Sequence, residues 1–479
     1  MEFKRFKTEG IAHNAYILGT EGIGIIIDPR RDVDEYLEWA LSKKINIKYV
    51  LQTHRQEDFV LGSKILKEKL GVIVVASNHP ISRVADKRMA DDEVFDIGGL
   101  SIKTLHTPGH TPESVSYAIS LKEHPEKVWA VFTGDALFIG ETGRTDLPDR
   151  NKTAENAGIL FDSIHKKILP LGDNVLIYPA HGAGSVCGGN IAKYDESTLG
   201  FERTYNPVFT LSREEFISKK LEERIPRPPY FALIEKLNTK GGLPLEKNWN
   251  SIVSYSSKDF EKQIKKGIVI DTRLPEAYAG GHIPESYSIW LDGLPVFGGW
   301  IAFENKPVFL VLERSEDLKK AFMHLARIGI DSIKGVLSGG FESWRNEGLP
   351  VDQSGIVTPM DLSKSKISLI DVRDITEYST KGHAPLASHN YVGYLERNSN
   401  PVKKHFPKDK PIAVTCTVGH RASLAVSILK RNGYKKVYNL IGGMGAWMKL
   451  KLPLKKDIDP KRILDKKEIT EDFPYEKIK

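Results

Sequence analysis

Short apolar runs of strand length recur through the first half of the chain. Ala15–Leu18, Gly24–Asp28, Tyr49–Thr53 and Val72–Ala76 each end near polar residues, glycine or proline, a pattern that predicts strands. Between them, Asp34–Lys43 and Gly62–Leu70 carry apolar positions at helical spacing. Val128–Thr133 and Asn174–Pro179 predict two further strands, each followed by residues able to do chemistry. Loops at strand ends are where α/β scaffolds place such residues. Glu223–Tyr230, which contains RIPRPPY, reads as a linker or closing arm.

The second half repeats itself. GIVIDTRLPEAYAGGHIPES (Gly267–Ser286) parallels SLIDVRDITEYSTKGHAPLAS (Ser368–Ser388), and PVFLVLERSEDLKKAFMHLARIGI (Pro307–Ile330) parallels PIAVTCTVGHRASLAVSILKRNGY (Pro411–Tyr434). GGFESW (Gly339–Trp344) parallels GGMGAW (Gly442–Trp447). A period of ~100 residues built from strand–loop–helix units means two copies of one domain rather than a solenoid. The expected organisation is α/β and multidomain, with domains over 1–244, 245–353 and 354–454. A charged tail over 455–479 is expected to be flexible or loosely docked.

Composition narrows the function classes. At 479 residues the chain is too long for one ordinary core, and 40% hydrophobic with 27% charged residues describes globular protein. The net charge of +7 is spread along the chain, without the arginine–aromatic blocks of nucleic-acid grooves, so no nucleic-acid partner is expected. No apolar stretch approaches the ~18 residues of a membrane span. The polar start MEFKRFKTEG is unlike a signal peptide, which leads to a cytoplasmic expectation. The two cysteines, Cys187 and Cys416, lie in different regions and build no disulfide framework. A homo-oligomer is compatible with all of this.

Two constellations carry chemistry. THRQEDF (Thr53–Phe59), His110 in HTPGHTP, Asp135 in FTGDALF and His181 in YPAHG are far apart in sequence and converge only if the fold joins strand ends. His54, His110 and Asp135 match a 2-His-1-carboxylate face with open positions, as expected of non-haem Fe(II). The second constellation is Cys416-Thr417-Val418-Gly419-His420-Arg421, which follows a strand-like run and opens a helical one. Backbone N–H groups and a helix N-terminus there favour a thiolate, and Arg421 adds fixed charge. Such a cradle can hold a cysteine persulfide.

These motifs resemble known families. Residues 1–240 resemble the metallo-β-lactamase fold, an αβ/βα sandwich, whose dinuclear members read THxHxDH where this chain has Gln56 and Phe59. GETGRTDLPD (Gly140–Asp149) and HGAGSVCGG (His181–Gly189) resemble the persulfide dioxygenase branch, particularly its rhodanese fusions. The Cys416 loop and DVRDITEYSTKGHAPLAS resemble an active rhodanese domain, whereas the preceding copy has Leu312 at the cysteine position. The resemblance implies one Fe(II) per chain on His54, His110 and Asp135, with zinc as the alternative. Asp58, His181 and Gln56 would sit around it, Arg144 would grip an acidic thiol, and Cys187 would lie near the pocket mouth. It implies oxidation of a low-molecular-weight thiol persulfide by O2 to sulfite, and sulfur transfer through Cys416 that yields thiosulfate. The silent copy would have a structural or docking role. The alternatives are a sulfur carrier with a silent first domain, and a zinc thioester hydrolase of the glyoxalase II type.

Overall fold

The runs that looked like strands are apolar on both faces because both faces are covered. The computed structural model describes residues 1–245, 248–302 and 306–465. Its first sheet is formed by β1 (Glu2–Thr8), β2 (His13–Thr20), β3 (Ile23–Ile27), β4 (Asn46–Leu51), β5 (Ile73–Ser77) and β6 (Lys87–Met89), paired in that order. Side chains alternate across the pleat. Ala15, Ile17, Ile26 and Val50 pack with Tyr36 and Leu66 of the helices Asp34–Ser42 and Ser63–Leu70. Tyr16, Leu18, Ile25, Ile27 and Leu51 face the other way.

What they face is a second six-stranded sheet: β7 (Val94–Ile97), β8 (Leu100–His106), β9 (Val115–Leu121), β10 (His124–Gly134), β11 (Leu176–Pro179) and β12 (Ser197–Thr198). Ile102, Tyr117, Ile119 and Phe132 close the core between the sheets. Val131 and Ile177, on the outer face, are covered by Ala157 and Leu160 of the helix Thr153–Ser163 and by Phe216. The layers are therefore αβ/βα, as expected. β10 and β11 run parallel, with Gly134 opposite Pro179, so Asp135 and His181 leave neighbouring strands at the same edge. The Val115 N–H donates to the Thr53 carbonyl (2.8 Å), which joins the loop after β4 to the start of β9.

The contacts divide the chain into two compact units. One comprises Met1–Ile225, Phe231–Leu245 and Arg327–Gly329, and the rest of the described chain forms the other. The second unit holds both repeats. The first has β13 (Ser254–Tyr255), β14 (Ile268–Asp271), β15 (Tyr287–Ser288), β16 (Val308–Val311) and β17 (Ile333–Leu337), in the order β13-β17-β16-β14-β15. The second has β18 (Gly355–Val357), β19 (Ser368–Asp371), β20 (Ala387–His389), β21 (Ile412–Thr415) and β22 (Val437–Leu440), in the equivalent order β18-β22-β21-β19-β20. Every pairing in both sheets is parallel.

The segment from Lys455 to Asp465 is not loosely attached. The Lys455 N–H donates to the His383 carbonyl and the Leu464 N–H to that of His389 (each 2.9 Å), and Ile463 is fully buried in the core of the second repeat. An apolar side chain inside a charged stretch docked what composition alone left free. Residues 466–479 of the expected tail lie outside the described residues. Among the described residues, no helix is long and apolar enough to cross a membrane.

Candidate active sites

Three fully buried imidazoles meet at the sheet edge of the first unit, and each is held by its Nδ1. His110 Nδ1 donates to the Arg144 carbonyl (2.8 Å). His181 Nδ1 donates to Asp135 Oδ1 (2.8 Å). His54 Nδ1 lies 2.9 Å from Thr53 Oγ1, whose own proton goes to Asp28 Oδ2 (2.6 Å), so the hydroxyl accepts from the ring. Each Nε2 is thereby left to face the interior, the tautomer that metal-binding histidines adopt. Two glycines permit the close approach. A Cβ at Gly134 (φ 54°) would meet Thr53 Oγ1 at 2.6 Å, and one at Gly143 would meet the Asp135 carbonyl at 2.1 Å and His110 Nδ1 at 3.0 Å.

His54, His110 and Asp135 do come together. Asp135 Oδ2 is 3.8 Å from His54 Nε2 and 3.5 Å from His110 Nε2. A fourth group, Glu57, shares the space, its Oε2 lying 3.4 Å from His110 Nε2 and 3.8 Å from His54 Nε2. Sequence reading passed over Glu57 because it occupies a variable place in the motif. The preceding residue, Gln56, takes a left-handed backbone (φ 57°), at a cost of ~1 kcal/mol, and Glu57 is buried inside the site. Gln56 Nε2 itself reaches only the Nδ1 side of His54 (3.5 Å).

The electrostatics reflect crowded negative charge. Burial opposes protonation of His110, but Glu57 and then Asp135 reverse the effect and raise its pKa to about 9. Burial likewise opposes charge on Glu57, yet His110 and His54 hold it down at about 2. Asp135 falls below the ordinary carboxylate range because His181, His54 and His110 outweigh burial. His54 Nε2, Glu57 Oε1 and Asp135 Oδ2 are buried without hydrogen-bond partners. Two nitrogens and two carboxylates aimed at one point, with orphaned lone pairs, fit a divalent metal ion.

The surrounding residues separate into two groups. Asp58 Oδ2 is 3.0 Å from His181 Nε2, and Cys187 is fully buried beside this pair rather than at a mouth. Burial pushes the Cys187 thiol well up, and Asp58, Asp135 and Glu57 add to this. Arg144 does not present itself to a substrate either. It is 1% exposed, its fork holds Asp146 (2.7 and 2.8 Å), and it also donates to the carbonyls of Val186 and Ile225. Phe59, where a ligand histidine would stand in dinuclear members, packs on His13 with ring centroids 4.0 Å apart. His13, another residue that drew no attention in the sequence, has neither ring nitrogen hydrogen-bonded. Burial, then His181 and Arg30, keeps it neutral. A cleft of about 310 Å³ is lined by His13 and His181 and, further along, by Arg5, Lys7, Lys193 and Tyr194.

In the second unit, Cys416 follows β21 and is 1% exposed. Gly419 (φ 111°) turns its N–H onto the Cys416 Sγ (3.1 Å) just before the helix His420–Arg431. Arg421 does not reach the sulfur as a free cation. It is held by Glu377 (2.6 and 3.1 Å) and by Thr417 Oγ1 (2.8 Å). Glu377 carries the charge because Asp374 and Arg421 overcome its burial, and Asp374 is pushed upward by its own burial and by Glu377. Val418 is exposed at the loop tip, and His420 stacks on Trp290 of the first repeat (4.8 Å, 19°). Leu312, the counterpart of Cys416, is buried after β16.

The family model described as the Metallo-beta-lactamase superfamily matches residues 8–181. "Persulfide dioxygenase ETHE1, mitochondrial" of Bos taurus is 31% identical over 232 residues, 48% of this chain and 84% of that protein. The chain belongs to the metallo-beta-lactamase superfamily. Its N-terminal part has persulfide dioxygenase homologues, and two rhodanese-like domains follow, matched at residues 256–347 and 360–450. "Hydroxyacylglutathione hydrolase GloC" of Haemophilus influenzae is 30% identical over 203 residues, 38% of this chain and 85% of that protein. A crystal structure described as a metallo-beta-lactamase from Staphylococcus aureus is 29% identical, with a TM-score of 0.63, and covers 70% of this chain and 98% of its own.

Proposed function

We infer that the chain is a bifunctional enzyme of sulfur metabolism: it oxidises a low-molecular-weight thiol persulfide to sulfite and transfers sulfane sulfur through Cys416. The observation that supports the first activity most is the donor set. His54, His110 and Asp135, with Glu57 beside them, would hold one Fe(II), and oxygen donors and imidazole suit that ion. Bound there, iron would supply the redox chemistry that lets dioxygen react with a persulfide sulfur. The net change is RSSH + O2 + H2O giving RSH and sulfurous acid, which is sulfite after loss of protons.

The chain's own groups do the positioning. His110 is fixed by the Arg144 carbonyl, His54 by Thr53 and Asp28, and Asp135 by His181, so little reorganisation is needed on binding. Glu57, resting close to both histidines, would share the metal with them as a fourth donor. Phe59 makes one wall apolar and restricts water. The thiol persulfide would enter by the cleft that ends at His13 and His181, where Lys193 offers charge complementary to an acidic thiol while Arg5 and Lys7 are engaged by Asp195. Arg144 has no part in gripping it.

At the second site the Cys416 thiolate attacks the outer sulfur of a persulfide donor, releasing the donor thiolate and leaving Cys416–S–SH. Sulfite then attacks the outer sulfur, which leaves as thiosulfate with its proton lost to solvent, and the cysteine thiolate is restored. The Gly419 N–H and the helix start stabilise that thiolate. The cytoplasm suits both activities, since reducing conditions keep both cysteines free.

Metal analysis combined with oxygen uptake tests this reading. The expected result is iron in the first unit, oxygen uptake with a thiol persulfide, loss of uptake in His110→Ala with thiosulfate:cyanide sulfur transfer intact, and the reverse in Cys416→Ser. Absence of uptake by iron-reconstituted protein across several thiol persulfides would overturn the dioxygenase reading and leave the sulfur-carrier and hydrolase roles. The likeness to GloC favours a zinc thioester hydrolase instead, which predicts cleavage of a glutathione thioester without oxygen.

A further inference from the structure

The loop that carries His54, Glu57 and Phe59 is held by a side chain 182 residues beyond Gln56. Asn238, the last residue of the helix Phe231–Asn238, is 2% exposed. Its Nδ2 donates to the carbonyls of Arg55 (2.7 Å), Phe59 (2.8 Å) and Gln56 (3.0 Å), and its Oδ1 accepts from the Leu61 N–H (2.9 Å). The amide sits only this way round, because flipping it would set an oxygen against three carbonyl oxygens. A buried carbonyl left without a partner costs ~1–3 kcal/mol, so these contacts decide the path of the loop. Backbone contacts bring the two segments together. The Lys64 N–H donates to the Gly241 carbonyl (3.0 Å), and a Cβ at Gly242 would collide with the Leu61 carbonyl.

Two of those carbonyls belong to the peptide planes on either side of the Gln56 Cα. The Arg55 oxygen lies in the plane before it and the Gln56 oxygen in the plane after it. The rotations of these planes about Cα are the φ and ψ of Gln56. One amide that holds both oxygens therefore holds Gln56 in its left-handed conformation (φ 57°), which a residue with a Cβ otherwise avoids. That turn delivers the buried Glu57 to His110 and His54. We propose that Asn238 is a positioning residue for the metal centre: it acts through Gln56 to keep the Glu57 carboxylate in the donor set. The helix that follows RIPRPPY is thus part of the site, although the match to the metallo-beta-lactamase family model ends at residue 181. The proposal rests on reading His54, His110, Asp135 and Glu57 as a metal centre, and it does not depend on oxygen chemistry.

Metal affinity in a double-mutant cycle tests it. Cobalt(II) is the probe, titrated into the metal-stripped full chain and read by its ligand-field absorption. Asn238→Asp keeps the size of the side chain but removes its donors. It should weaken binding ~10- to 100-fold, the usual effect of losing a group that orients a metal ligand. Glu57→Gln should weaken binding to a similar extent and give the same altered spectrum. The double variant should bind no more weakly than Glu57→Gln alone, because the two residues act in series. Circular dichroism checks folding, and if Asn238→Asp does not fold, Asn238→Ser, which buries no charge, is read in the same way. Effects that multiply in the double variant, or a wild-type spectrum and affinity in the Asn238 variant, overturn the proposal alone. A wild type that takes up no cobalt overturns the metal centre and the proposal together. Oxygen uptake is not read at any step, so failure of the dioxygenase reading would leave this result standing.

Discussion

In the first repeat Arg273 clamps Asp271 with a bidentate pair and donates to the Gly281 carbonyl (2.7 Å); in the second, Arg373 clamps Asp371 and donates to the Gly382 carbonyl (2.8 Å). Tyr278 stacks on His282 at 3.8 Å, and Tyr378 on His383 at 3.7 Å. Trp344 donates to the Pro350 carbonyl and Trp447 to that of Pro453. Gly339 and Gly442, both at φ 71°, start equivalent helices. None of these shared features therefore requires sulfur chemistry. They are what the fold needs.

The repeats part company over six residues. Cys416 and Gly419 in one face Leu312 and Ser315 in the other, and the loop that is Thr-Val-Gly-His-Arg after Cys416 is Glu-Arg-Ser-Glu-Asp after Leu312. Only the second loop turns an amide onto a sulfur. The first repeat still contributes, because Trp290 stacks on His420 and Ser288 Oγ lies 2.7 Å from Ser423 Oγ on the helix behind Cys416. The copy without a cysteine thus packs on the helix that follows Cys416 in the other copy.

This contrast can be broken at several levels. Cys416→Ser should reduce thiosulfate:cyanide transfer to the uncatalysed background, and Leu312→Cys should create no new activity, because Ser315 lacks the left-handed turn that aims the amide. Transfer by the double variant Cys416→Ser, Leu312→Cys would show that the cysteine alone separates the repeats. Arg273→Ala and Arg373→Ala should each cost ~3–5 kcal/mol in denaturant unfolding, since each leaves a buried carboxylate unpaired. A large loss in only one repeat would show that the clamps are not equivalent. Gly419→Ala keeps the N–H but puts a Cβ at a φ of 111°, so it should cost ~1–2 kcal/mol in unfolding and lower kcat for transfer by up to ~10²-fold as the amide loses its aim at Cys416 Sγ. The smallest effect belongs to Trp344→Phe and Trp447→Phe, at ~1 kcal/mol each for one lost hydrogen bond, seen as a shift in unfolding midpoint.

Much of the scaffold was legible because the signals are local. β2 to β5, β10 and β11 stand where uninterrupted apolar runs predicted them. β8 (LSIKTLH) and β9 (VSYAISL) escaped notice, since serine, lysine and threonine break up their apolar pattern and long-range pairing decides the strand. At the candidate metal centre, the approach of His54, His110 and Asp135 follows from motif type, whereas that of Glu57 depended on the backbone sign at Gln56, which no propensity reveals. Arg144 looked like a free cation because its partner, Asp146, is known only once the loop folds back on itself. Cys187 looked peripheral because distance from His181 along the chain says nothing about which way a loop closes.

The sequence by itself determined the three-part order, the doubled repeat, the presence of a cysteine in only one of the two copies and the residue types available at the ends of the strands. These rest on residue type and on periods of two, of 3.6 and of ~100 residues, all of which are properties of the chain before it folds. The tertiary structure alone decided which donors share a point in space. Whether Glu57 joins His54 and His110, and whether Cys187 joins Asp58 and His181, depends on loops from distant strands meeting at one edge and on the exclusion of water there, where every unpaired lone pair must find a partner.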